Sequence, residues 1–390
     1  MPGEQLRILL LIRNMALGGG AESLVFNTYQ ELKKREGVKV KLIAFQAAPD
    51  ANGTNAVFFE EQLKDDPDFH YCSSYVRLSV LKKNEADLKS YCEIVETFRP
   101  HIIHSHLFTA EIISREVLFK GVKYFTHTHD NMKQFRNFSF NTLLNKELLT
   151  NYYEKIHLIA KYKQCNNRFI SISEDTTAYF KQVLPKTLSR NIYPLDNAIV
   201  TETFAKINTK RSLDKIRIVN VGSFQAKKNQ KFLIETGAEL LRRGLDFEIT
   251  LLGGGGLYNE VKDLVKRNNL ESRVNMPGNV ANTAVYYSAA NLYIHTATYE
   301  PFGLVLLEAM ASGLPVIALN GRGNRQLIED GHNGFMLDEQ NATKFADIIQ
   351  KVVSDEKLYN TLSANAVKFA RKYDIVAYVD KLLAIYNQAG

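Results

Sequence analysis

The sequence predicts an α/β protein made of two Rossmann-like, doubly wound parallel-sheet domains, and three observations lead there. Short apolar, β-branched runs alternate with helical stretches along the chain, the pattern that lays helices on both faces of a parallel sheet. At 390 residues the chain exceeds what one small core fills, so two domains are expected. Near 193–212 the alternation breaks, where YPLDNAIV passes into the polar, basic TETFAKINTKRSLDK before a fresh strand starts.

In the first half, strands are expected at 6–12, 38–45, 101–105, 122–127 and 168–172, with helices near 21–35, 85–98, 109–119, 140–163 and 174–182. In the second half, strands are expected at 216–222, 247–253, 273–276, 292–297 and 315–319, with helices between them. The first domain is therefore placed at 1–195 and the second at 196–372. The helical stretch at 373–390 has no strand after it and is free to pack on either domain, including back on the first. Two such sheets are expected to face each other across a central cleft, because ligands of doubly wound sheets bind outside the carboxyl ends of the strands.

Hydrophobic residues make up 45% of the chain and charged residues 23%, as in an ordinary soluble protein. The only early apolar run, LRILLLI, is too short for a membrane span and no signal-peptide pattern precedes it. Three cysteines, Cys72, Cys92 and Cys165, show neither a disulfide framework nor metal-ligand spacing, which suits a reducing cytoplasm. The net charge of +7 is compatible with nucleic acid, an anionic membrane or phosphorylated substrates. Residues 133–168 interleave Lys and Arg with Phe, Tyr and Leu, which reads either as a solvated helix face over a core or as a membrane-surface face. No RNA-binding signature accompanies it.

The chemistry is expected in the loops. LGGGAE at 17–22 lies between a strand and a helix, where its glycines permit positive φ and close approach to a phosphate at the helix N-terminus. LLGGGG at 251–256 fails the dinucleotide fingerprint, since the third glycine would fall on Tyr258, and no Walker-type loop is present. GSFQAKKNQ at 222–230 supplies Lys227 and Lys228 as point charges for phosphate. HIIHSH and HTHD each end a strand, so His106 and His129 can face the cleft, and they read as ligand hydrogen-bonding groups or core histidines rather than as metal ligands.

The most informative segment is TYEPFGLVLLEAM at 298–310. Glu300 precedes a Pro-Phe-Gly turn on a loop expected to be mobile, and Glu308 sits inside an almost entirely apolar helix. A carboxylate there needs a polar partner, either a cation or paired hydroxyls such as those of a ribose or sugar. The helix N-terminus at Phe302 to Leu304 offers free N–H groups to a diphosphate.

Taken together, these residues resemble the retaining glycosyltransferases of family 4, which have the two-domain GT-B fold. The resemblance rests on Glu300-Pro-Phe-Gly with Glu308, continued by ASGLPVIAL, EDGHNGFML, LGGGAE, HTHD, SISE and LDNAIV. It implies that Glu308 accepts hydrogen bonds from the ribose, that Glu300 contacts the donor sugar, and that Lys228 neutralises the diphosphate. It also implies that Gly19 and Gly20 approach the phosphate or sugar, that Gly303 and Leu304 cap the phosphate, and that His129 lies near the transferred sugar. Ser223 stands where the family often has arginine, which leaves the second cation to Lys227. Ala198 replaces an interdomain glycine, and GRGNRQ at 321–326 replaces the family's GG-x-x-E, bringing Arg322 and Arg325 into question.

The implied activity is transfer of a hexosyl unit from a UDP- or GDP-linked donor to a glycan or lipid-linked hydroxyl in polysaccharide synthesis. No cofactor and no metal are implied, and the expected location is the cytoplasm, at the inner face of the membrane. Two other readings use the same features: a sugar-nucleotide epimerase or glycan phosphorylase on the same architecture, and a non-catalytic polyanion-binding protein.

Overall fold

The structure, a computed structural model, describes residues 5–15, 19–46, 58–80, 82–136, 138–139, 142, 145–205 and 211–388. Leu17 and Gly18 of the first glycine loop, residues 206–210 of the expected linker, and residues 140, 141, 143 and 144 at the start of the helix expected from 140 lie outside them. Packing divides the chain into two units, Met1–Asp196 with Tyr378–Gly390, and Asn197–Ala377.

The first unit holds β1 (Leu6–Ile12), β2 (Val38–Ala44), β3 (Phe69–Tyr71), β4 (Tyr75–Arg77), β5 (Glu85–Asp87), β6 (Ile102–His106), β7 (Lys123–Thr128), β8 (Arg168–Ser171) and β9 (Ile192–Pro194). Seven of these form one parallel sheet in the order β3-β2-β1-β6-β7-β8-β9. β1 is central, and Ile8 to Ile12 have no exposed surface, as a strand covered on both faces requires. The strand order reverses between β1 and β6, so the carboxyl end of β6 lies at a topological switch point.

β4 and β5 form a separate antiparallel pair, which corrects the helix expected from 85: Glu85, Ala86 and Asp87 pair with Tyr75 to Arg77, and the helix starts at Lys89. All three residues of β5 are exposed, so no alternation in hydrophobicity marks the strand, and their propensities favour helix over sheet.

The second unit holds β10 (Ile216–Val221), β11 (Phe247–Leu252), β12 (Val274–Gly278), β13 (Leu292–His295), β14 (Val316–Leu319) and β15 (Gly334–Leu337). They form a parallel sheet in the order β12-β11-β10-β13-β14-β15. Ile218, Ile249, Leu251 and Ile294 from the strands are buried with Phe232, Leu233, Phe345 and Ile349 from the covering helices. Here the order reverses between β10 and β13, so the loops leaving those two strands open the crevice of this unit.

The glycines of 251–256 serve that crevice as packing elements. Gly253 has φ +127°, and a Cβ on it would lie 2.2 Å from the Gly222 carbonyl oxygen. Gly255 has φ +142°, with the Phe224 carbonyl oxygen 2.8 Å from its Cβ position. The two loops are stitched where the Phe224 N–H donates to the Gly254 carbonyl at 2.8 Å.

Gly323 meets the tightest backbone approach in the unit's other crevice loop: a Cβ there would stand 2.0 Å from the Pro301 carbonyl oxygen. Gly323→Ala is expected to destabilise the second unit by about 1–3 kcal/mol, as overpacking of a rigid contact does. Gly256→Ala, whose Cβ would meet nothing within 4 Å, is the neutral control. Thermal unfolding of both variants checks this, and equal transitions would show that the 301–323 contact yields freely.

Candidate active site

β13 ends at His295, and the chain turns through 296–303 into the helix Leu304–Ala311. Gly303 is the helix N-cap with φ +106°, a conformation that favours glycine, and this fixes the helix start at Leu304, two residues beyond Phe302. Phe302 is 2% exposed, its ring 6.0 Å from that of Tyr373, so its side chain anchors the turn and only its backbone is open to a ligand. The first-turn N–H of Leu304 precedes any intrahelical acceptor and is available to an anion.

The loop bearing Glu300 is tied down, contrary to the expectation of a mobile segment. The Glu300 N–H donates to the Gly321 carbonyl at 2.8 Å, the Thr298 N–H to the Lys227 carbonyl at 2.9 Å, and Thr296 Oγ1 to the Lys228 carbonyl at 3.0 Å. Loops leaving β10, β13 and β14 are thereby joined into one platform. On it, Lys228 Nζ lies 2.5 Å from Glu300 Oε2, and His295 Nε2 lies 3.1 Å from the same oxygen. Glu300 is 6% exposed. Burial pushes its carboxyl up, but Lys228 and His295 outweigh burial and hold it at about 2, so it is ionised at every working pH.

Glu308 is the opposite case. It is half-buried, and among the described residues its partner is the Tyr287 hydroxyl, which donates at 3.0 Å. No cation faces it, so the alternative of a buried ion pair is not what the structure holds among those residues. Burial pushes this carboxyl up to about 7, with Tyr287 only partly opposing. An acceptor with so few donors is suited to a ligand that brings hydroxyls.

The remaining donor-side residues gather around β10. Ser223 and Lys227 are half-buried, and the Lys227 ammonium lies 5.6 Å from the Tyr299 ring centroid. Arg322 and Arg325 are both exposed, and Arg322 adopts φ +72° as Glu300 and Arg322 form an isolated parallel bridge.

In the first unit, Gly19 is the N-cap of the helix Gly20–Lys33 with φ −99°. This position does not use the positive φ that its glycine permits, and a Cβ there would fall 1.6 Å from Glu22 Oε2, the movable end of a flexible side chain. The Glu22 side chain folds back over this helix start, and burial raises its carboxyl while its own N–H and Arg13 oppose. Ser173 caps the helix Glu174–Val183 in a reciprocal capping box with Thr176.

β6 and β7 deliver four histidines side by side. His106 is 1% exposed, in keeping with the core-histidine alternative; it lies under the half-buried His129, with His106 Nδ1 2.9 Å from His129 Nε2. Nitrogens of His104, His106 and His127 lie within 4.8 Å of one another, so a metal has to be considered. Their rings stack, with interplanar angles of 19° between His106 and His127 and 23° between His104 and His127. Imidazole lone pairs lie in the ring planes, and near-parallel planes do not converge on one ion. The cluster contains no carboxylate or thiolate to offset a divalent charge. It fits a hydrogen-bonded stack of neutral rings better than a metal centre.

The Glu308 geometry yields a pH test. Its folded value, about 7, lies above the 4.5 of an unfolded glutamate, so its contribution to stability is intact below 4.5 and is lost as pH rises through 7. Glu308→Gln is therefore expected to unfold at a higher temperature than wild type at pH 8, by roughly 1–3 kcal/mol, with the gap closing toward pH 4.5. Scanning both proteins across that range checks it; a gap independent of pH would mean that Glu308 titrates normally.

Residues 202–369 match the family described as Glycosyl transferases group 1. The alpha-D-kanosaminyltransferase of Streptomyces kanamyceticus is 30% identical over 190 residues, 48% of this chain and 49% of that enzyme, so the likeness spans about half its length. The UDP-Gal:alpha-D-GlcNAc-diphosphoundecaprenol alpha-1,3-galactosyltransferase of Escherichia coli is 23% identical over 391 residues, covering 96% of this chain and 95% of that enzyme. Among solved structures, Anabaena HepE in complex with UDP and glucose matches 98% of this chain and 99% of its own with a TM-score of 0.75 at 19% identity, a likeness of fold. The second unit thus carries the match to the glycosyl transferases group 1 over residues 202–369, and the chain's two parallel-sheet units have the GT-B fold.

Proposed function

We propose that the chain is a retaining, family 4 hexosyltransferase acting on a nucleotide diphosphate sugar and an acceptor hydroxyl. The observation that carries this reading is the pair of carboxylates on one loop-and-helix unit, Glu300 ionised against Lys228 and Glu308 waiting on hydroxyl donors. Glu308 takes the ribose hydroxyls. Lys228 has three N–H donors, so it keeps Glu300 and still reaches a phosphate oxygen. Leu304 N–H and the helix dipole face the same charge, with Gly303, the Phe302 backbone, Ser223 and Lys227 around it. Gly19 and Gly20 take the phosphate or sugar from the first unit's glycine loop, and His129 bonds the transferred sugar.

In the reaction, the bond from the anomeric carbon to the diphosphate oxygen breaks and its electron pair leaves on that oxygen. The acceptor oxygen bonds the same face of the carbon, and its proton passes to the departing phosphate. Lys228 and the helix N-terminus stabilise the charge where it develops. Protein cations and dipoles do this in place of a metal. The relatives' names support a UDP-linked donor and a lipid-linked acceptor: the Escherichia coli enzyme is named for UDP-Gal and a diphosphoundecaprenol, and the HepE complex holds UDP and glucose. Thermal stabilisation and slow hydrolysis across a panel of nucleotide sugars, with and without EDTA, identify the donor.

The two glutamates separate under substitution. Glu308→Gln is expected to weaken free nucleotide diphosphate binding by about 1.5–3 kcal/mol, the value of a charged hydrogen bond. Glu300→Gln is expected to leave that binding near wild type, because the ligand carries no sugar and Lys228 is freed, while turnover falls. Lys228→Ala is expected to lower turnover on the order of 100-fold. Calorimetry with the free nucleotide beside transfer rates decides this: normal binding by Glu308→Gln with lost binding by Glu300→Gln would reverse the roles.

We also infer peripheral attachment to the inner membrane surface. No helix among the described residues is long and apolar enough to cross a membrane. Phe138 and Ile156 are 48% and 51% exposed in the basic 133–168 segment, and the Phe138 and Tyr152 rings lie 4.8 Å apart. Binding to vesicles containing anionic lipid is expected to fall as salt rises. Equally poor binding to neutral and anionic vesicles at low salt would make the segment an ordinary domain face.

A further inference from the structure

The bond between His106 and His129 has a direction that the surroundings fix. Burial, and then the neighbouring histidines, push both imidazoles well below the usual histidine range, so both rings are neutral and each carries one proton. One proton lies between His106 Nδ1 and His129 Nε2, which are 2.9 Å apart. The second ring nitrogen of His106, Nε2, is buried and has no hydrogen-bond partner among the described residues.

Two arrangements are possible. If His129 donated, the proton of His106 would sit on Nε2, a buried N–H with nothing to accept it. If His106 donates, Nε2 keeps a bare lone pair. Orphaned buried N–H groups are rarer in proteins than under-satisfied acceptors, and leaving one unpaired costs about 1–3 kcal/mol. The other two histidines do not compete for this bond. His104 Nδ1 lies 2.5 Å from the Tyr386 hydroxyl, and His104 Nε2 lies 3.2 Å from His127 Nδ1, so that pair is engaged separately.

We propose that His106 is a positioning residue that donates Nδ1–H to His129 Nε2, so that His129 holds its proton on Nδ1 and offers an N–H to an oxygen of the sugar. The inference rests on the role given to His129 in the proposed transfer. His106 touches no substrate; it decides whether His129 presents a donor or an acceptor. A neutral imidazole left free to exchange tautomers would present the donor only part of the time.

The test begins with the full chain labelled with 15N-histidine and no sugar donor present. Long-range 1H–15N correlation is expected to show His129 protonated at Nδ1 and bare at Nε2, the signal assigned by its loss in His129→Ala. His106→Asn places an amide N–H where Nδ1 stood, whereas His106→Gln places it nearer the position of Nε2. The Asn variant is therefore expected to keep the tautomer and a kcat within about threefold of wild type. The Gln and Ala variants are expected to lose the single tautomer and lower kcat by about ten- to a hundredfold, with the donor KM changed less.

A His129 proton on Nε2 in the wild type, or equal losses in the Asn and Gln variants, would overturn the proposal. Should the variants fail to fold, the wild-type spectrum decides alone. Absence of turnover with every donor, alongside the Nδ1–H tautomer, would strike the transferase reading and not the direction of this bond.

Discussion

The arrangement of the second unit hangs on one carboxylate. Glu300 lies 2.5 Å from Lys228 Nζ and 3.1 Å from His295 Nε2, and the backbone on either side of those side chains is bonded across three loops. A buried pair of this kind is a poor source of net stability, because desolvation offsets most of the attraction. Removing one partner is costly, at about 3–5 kcal/mol, because the other charge is left in place unpaired. The pair therefore holds a lysine and a carboxylate in fixed positions at the carboxyl ends of β10 and β13, where a doubly wound sheet binds its ligand.

The same loop and helix set two glutamates in opposite electrostatic states. Glu300 is held at about 2 by Lys228 and His295 against its burial, and Glu308 is pushed to about 7 by a burial that Tyr287 only partly offsets. Environments that drive two carboxyls apart mark different tasks. A permanently ionised Glu300 preserves the Lys228 charge in place, whereas Glu308 becomes fully ionised most readily when hydroxyl donors arrive. Acceptance of hydroxyl donors and deprotonation of Glu308 thus favour each other, because each added donor stabilises the charged carboxylate.

Much of this was legible in the sequence because it is local. The continuous apolar strands, the Pro-Phe-Gly turn before an apolar helix and the lysine after β10 each declare themselves within a few residues. What was not legible lies in pairings across sequence distance. Nothing near Glu308 points to Tyr287, 21 residues earlier, and nothing near Lys228 says that its ammonium meets Glu300, 72 residues on. The glycines at 253 and 255 fit no phosphate-loop pattern in the sequence, and their packing role is seen only from the carbonyls of Gly222 and Phe224 opposite them. The β4–β5 pair escaped notice since three exposed residues carry no periodicity. The sequence leaves His106 open between the cleft and the core because both ends of a HSH triplet at a strand end look alike in one dimension, and its burial and ring stacking place it in the core.

The two units solve the problem of polar groups at strand ends in different ways. The second sets a charged pair there, and the first sets neutral rings over a buried guanidinium. Beneath the β6 and β7 histidines, Arg115 is fully buried and donates to Ser105 Oγ at 2.5 Å, to the Phe125 carbonyl at 2.8 Å and to Asn167 Oδ1 at 2.9 Å. Each of these acceptors is neutral, and the buried Glu111 carboxyl, which the guanidinium's field draws down, is still pushed by burial to about 7. His104 is kept unprotonated first by burial and its histidine neighbours, and the field of Arg115 adds to them. A stack of rings that stays neutral presents directional hydrogen bonds without attracting or repelling ions. Such a stack offers hydrogen bonds to uncharged polar groups, and the Lys228 platform offers attraction to anions, so the two units differ in the charge that their strand ends present.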